Sequence, residues 1–168
     1  MMVDRANLAA HQPQAFSAVV SQEVGAQGQW RTDRYRVAEV TRPDLLSCLI
    51  PFPDGSVSLT SSDWPGFASV NEIEVCLYQV ATYLDGPQEM IHWLKSVGMD
   101  RTFMRGLYDD EEHRWNGVRV YGVTPRKTRY FHMNKKLFFE ALVAHSFVVY
   151  IRYQDAAITQ VEVDMNYK

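Results

Sequence analysis

The sequence predicts an α+β fold. Three observations carry that reading: a capped helical stripe in the middle of the chain, a strongly β-prone pair of segments near the C-terminus, and a mixed order of elements. The length of 168 residues suits one domain. We expect a loose leader over 1–14 and a single α+β domain over 15–168.

The elements follow in order. Residues 15–24 read as a strand, Gly25 to Gly28 as a turn, and Trp30 to Thr41 as a second strand with Tyr35, Val37 and Glu39 on one face. Together they predict an N-terminal hairpin. Prolines 43, 51, 53 and 65 break the next stretch, with a short strand at Ser56 to Thr60 after Asp54-Gly55. Ser69 and Glu72 form an S-x-x-E capping box. Ile73, Cys76, Leu77, Val80, Ala81 and Leu84 then recur at helical spacing. Pro87 opens a second helix at the position where its missing N–H does no harm, and Gly98 closes it. This is a helical pair over 70–97. Asp100 caps a third short helix through Leu107. A hairpin is expected at 118–133 and a helix at 135–145. Phe147 to Tyr153 and Ile158 to Met165 form a C-terminal hairpin over 147–165.

Charge is unevenly distributed. The net charge is −3, yet the 23 residues from Arg114 to Lys136 hold seven bases and no acid, leaving −10 on the other 145. Asp109, Asp110, Glu111 and Glu112 stand immediately upstream. An acidic body argues against whole-surface attraction for nucleic acid but leaves room for a local basic patch. Cys48 and Cys76 read as small buried hydrophobes in a reducing cytoplasm, because two cysteines make no disulfide framework. Residues 1–14 show no apolar run after a basic start, and no run approaches the ~20 residues of a membrane span. The expected location is cytoplasmic, with no membrane partner.

The 118–133 hairpin concentrates the chemistry. With a loop at Thr124 to Lys127, Val118, Val120, Phe131 and Met133 turn inward. Arg119, Tyr121, Tyr130 and His132 turn outward beneath a tip of Arg126 and Lys127. Arginine offers a planar fork to carboxylate or phosphate, and tyrosine offers flat area with a hydroxyl. Asp109, Asp110, Glu111 and Glu112 complete the candidate partner-binding set. They lack the alternating spacing and glycine of a calcium loop, so no metal is expected. No GxSxG, P-loop, GxGxxG or HExxH occurs, and no cofactor is expected.

The leading expectation is a small non-catalytic protein that modulates or inhibits a protein partner. The second is nucleic-acid binding by a helix-turn-helix-like unit at 77–97 with 118–133 as a basic wing. The outward residues Gln88, Glu89, His92 and Ser96 weigh against it, since phosphate contact needs Lys or Arg. The third is an enzyme using His132 as acid/base, with Arg119 on an anion.

Overall fold

A computed structural model describes residues 1–24, 28–124 and 144–167. Its order is β1 (Met2–Val3), α1 (Arg5–Ala10), α2 (Phe16–Val24), α3 (Gln29–Thr41), β2 (Val57–Ser58), α4 (Val70–Tyr83), α5 (Pro87–Ser96), β3 (Arg101–Asp109), β4 (Arg114–Val123), β5 (Ala144–Gln154) and β6 (Ala157–Tyr167). The fold is α+β. The last four strands form an antiparallel sheet in the order β3-β4-β5-β6, and β1 pairs with β2 in a small separate sheet.

The helical pair forms as its caps require. The Ser69 side chain accepts from the Glu72 N–H, and the Glu72 carboxylate reaches back to the Ala68 N–H at 3.0 Å. Every residue from Glu72 to Ala81 is buried, so α4 lies at the centre of the molecule. Gly86 precedes α5 at φ 94°, a conformation a side chain would strain. Met90, Ile91, Trp93 and Leu94 form the buried face of α5. This helix lies against β3 and β4. It approaches closely because Gly122 presents no side chain: a Cβ there would sit 3.2 Å from Leu94. One apolar cluster runs from Leu8 through α4 and α5 to Val161 and Val163.

Several expectations are overturned. The N-terminal hairpin is instead the helix pair α2–α3. Tyr35 is buried, but so are Thr32 and Ala38, a helical stripe, while Val37 is 70% exposed. The Glu39 carboxylate takes both the N–H and the hydroxyl of Ser17, pinning the start of α2 to α3. Within the 1–14 segment, Met2 and Val3 pair with Ser58 and Val57, and Leu8 is fully buried. The third short helix is strand β3, paired along its length with β4.

The 118–133 hairpin is corrected on its first half. Residues 117–123 pair with β3 on one side and β5 on the other, and 128–133, the expected second strand, lie outside the described residues. Residues 125–143 lie outside the described set. The expected helix at 135–145 therefore falls outside it up to 143, and residues 144 and 145 begin β5. The C-terminal hairpin is present as β5–β6.

Cys48 and Cys76 form a disulfide with a Cα–Cα separation of 5.6 Å. It ties the short 3-10 turn Leu46–Cys48 to α4. The two cysteines stand 28 positions apart in sequence, and only the fold brings them within bonding reach. No helix among the described residues is long and apolar enough to cross a membrane.

Candidate binding face

Side chains alternate across the sheet, and Val120, Ile151 and Val161 turn in to the helices with almost no exposure. Their neighbours turn out. Cross-strand register then sets them in rows. One row is Phe103, Tyr121, Tyr150 and Glu162; the next is Arg105, Arg119, Arg152 and Gln160. Arg101, Val123, Val148 and Asp164 form a third row on the other side of the aromatics.

The aromatic row is a continuous contact. Phe103 and Tyr121 stack at 4.6 Å with only 9° between planes, and Tyr150 meets Tyr121 edge-on at 5.3 Å. Neighbouring strands are themselves about 4.8 Å apart. Phe103 and Tyr121 therefore cover one face of each other, Tyr150 stands nearly perpendicular to Tyr121, and no ring among the described residues covers the other face of Phe103. Ring edges carry the positive side of the aromatic quadrupole. Burial, and then the charge of Asp164, hold the Tyr150 hydroxyl above its usual pKa, so it stays a hydrogen-bond donor.

The arginine row is electrically uncompensated. Like charges directly opposite one another across strands oppose folding. No ion pair among the described residues reaches Arg105, Arg119 or Arg152. The Nε atoms of Arg119 and Arg152 are buried without a hydrogen-bond partner. These Nε atoms are out of reach of solvent, so an incoming carboxylate or phosphate would meet the row at its terminal guanidinium nitrogens.

Acids border this face. Glu162 pairs with Arg31 at 2.9 Å along β6, and Asp164 is exposed beside it. The block Asp109 to Glu112 lies at the β3–β4 turn. Asp109 builds that turn: one oxygen accepts from the N–H groups of Glu111 and Glu112, the other from the Asn116 amide. Glu112 pairs with Arg114. Asp110 and Glu111 stay exposed. Arg119 and Tyr121 are thus side by side on the outer face, while Arg126, Lys127, Tyr130 and His132 lie outside the described residues. No cluster among the described residues has the ligand count of a metal site.

A second concavity, of about 680 Å³, runs between α3, the start of α4 and β6. Trp30, Arg31, Arg34, Glu74 and Asp164 help line it. Desolvation pushes the Glu74 carboxyl up to about 7, opposed by the hydrogen bonds it accepts from Tyr35 and Val163. Those bonds, 2.7 Å from the Tyr35 hydroxyl and 2.8 Å from the Val163 N–H, engage both oxygens. Glu74 therefore joins α3, α4 and β6 rather than presenting a free base to the groove.

Sequence reasoning missed Phe103, Arg105, Tyr150 and Arg152. A signal was present: an aromatic and an arginine stand two residues apart in each of the three strands, as Phe103/Arg105, Arg119/Tyr121 and Tyr150/Arg152. Their order reverses from strand to strand, as an antiparallel meander needs for aligned rows. The helix-turn-helix reading loses support, because α4 is buried nearly all round and α5 lies on the sheet. No protein-family model, curated protein or solved structure matches the chain.

Proposed function

We propose that this protein works by binding, not catalysis, and that its partner is another protein presenting acidic groups to the outer face of the sheet. The observation that carries this reading is the uncompensated row Arg105, Arg119 and Arg152 beside the row Phe103, Tyr121 and Tyr150. Arginine and tyrosine are the residues that most often dominate the energy of protein interfaces. Arg105, Arg119 and Arg152 offer donors suited to carboxylates, and the neighbouring tyrosine hydroxyls can add to them. A long polyanion crossing the face would also meet Glu162, Asp164 and the acids of the β3–β4 turn. The Cys48–Cys76 disulfide favours an oxidising compartment over the reducing cytoplasm.

The test is affinity capture from the native cell, with and without nuclease, followed by binding measurements on the recovered partner. Arg119→Glu with Arg152→Glu is expected to weaken association by roughly tenfold or more and to flatten its salt dependence. Unchanged affinity in that variant, or capture lost on nuclease treatment, would remove this reading.

A further inference from the structure

We infer that the partner contributes an extended strand that adds to the open edge of β3, with acidic side chains at alternate positions set against Arg101 and Arg105. This rests on the outer-face reading above and specifies how that face is engaged.

Among the described residues, strand β3 lies at the edge of its sheet and pairs with β4 alone. Its nine residues span roughly 30 Å, longer than most strands. Edge strands ordinarily carry a defence against pairing, such as a covering element, a proline, a bulge or charged side chains; the charges of β3, Arg101 and Arg105, repel a second copy of the same strand but not an acidic one. No covering strand lies on β3 among the described residues, and the segment 101–107 is free of proline and bulge. Its charges, Arg101 and Arg105, both fall on the outward face, at either side of Phe103. Apolar side chains are exposed on both faces: Phe103 at 49% outward, Met104 at 43% on the inner side. On the opposite edge of the sheet, Glu74 on α4 takes up the Val163 N–H of β6.

An added strand would place its outward side chains about 5 Å from those of β3. The complement of Arg-x-Phe-x-Arg is acid-x-aromatic-x-acid. The pattern is palindromic, so the charges match in either strand direction. Backbone hydrogen bonds then give affinity, and the alternating side chains give selectivity. The aromatic row would gain a fourth ring beside Phe103, and the carboxylates would extend toward the arginine row.

The probe is a synthetic peptide built on Glu-x-Phe-x-Glu with threonine at each x, titrated into the full chain by calorimetry. Two further peptides carry N-methyl groups on one or the other alternate set of amides. The parent peptide is expected to bind, and at least one methylated form should lose roughly tenfold, because the added strand needs one set of its N–H groups. Arg101→Glu with Arg105→Glu should lose the acidic peptide by a similar factor and gain one with lysine in place of glutamate, a rescue that an unfolded variant would not show. No binding of the parent, or full binding by both methylated forms, overturns the inference. So does an oligonucleotide that binds through Arg101 and Arg105 when the peptide does not, or a dimer of the chain joined through β3. If Arg119→Glu with Arg152→Glu still weakens the captured partner while these tests fail, the edge inference falls and the outer-face reading stands.

Discussion

Along β6, the N–H of Val163 turns away from β5 and ends on a carboxylate of α4. Along β3, no strand among the described residues meets the open edge. The contrast separates an edge engaged at one point by the chain's own helix from one that meets no strand among the described residues. Closing β6 required burying Glu74, and desolvation raised its pKa to about 7. Leaving β3 open kept phenylalanine and methionine in water. Both arrangements oppose stability in the isolated chain, for different reasons. At β6 the penalty accompanies a satisfied hydrogen bond. At β3 and the arginine row, nothing among the described residues offsets it.

The largest expected effect concerns the closed edge, which depends on the position of α4. Breaking Cys48–Cys76 releases α4 from the 3-10 turn and should lower unfolding free energy by about 2–4 kcal/mol. Urea unfolding with and without reductant measures this. A thiol count of two before reduction would instead show that the bond does not form.

The next effect is a pH dependence. Between the ordinary carboxyl value of 4.5 and about 7, the folded state holds the Glu74 proton more tightly than the unfolded state. Stability from this group therefore falls as pH rises through that window and levels off above it. The full change is on the order of 3 kcal/mol. Glu74→Gln should flatten the slope, so its advantage over the wild-type chain grows from pH 5 to pH 8. Equal slopes in the two proteins would mean that Glu74 titrates normally and the closed edge carries no penalty.

The smallest effect sharpens the open side. Arg119→Glu places an acid between Arg105 and Arg152 and should stabilise the isolated chain by about 0.5 kcal/mol while weakening partner binding. A gain in thermal midpoint together with a loss of affinity is the combination to look for. Loss of both would mark Arg119 as a structural residue.

Much of the fold was written locally. Ser69 and Glu72, Gly86 and Pro87 set the ends of α4 and α5, because capping acts between near neighbours. The alternation from Val118 to Val123 put Arg119 and Tyr121 on the outer side, since strand period alone decides which side chains share a face. Other features were illegible for physical reasons. Residues 30–41 carry an apparent alternation, and the helical stripe Thr32, Tyr35 and Ala38 wins only through its packing. Residues 101–107 show no buried stripe of either period, because neither face of this edge strand is well covered.

The sequence by itself therefore determined the fold class, the helical pair, the C-terminal hairpin and the inward and outward sides of 118–123. All of these follow from periodicity and capping, which act over a few residues. The tertiary structure alone decided that β3 and β5 flank β4, that Cys48 meets Cys76, that Glu74 closes one edge and that three arginines share a row. Each of those depends on residues far apart in the chain, whose meeting is fixed by how the whole core packs.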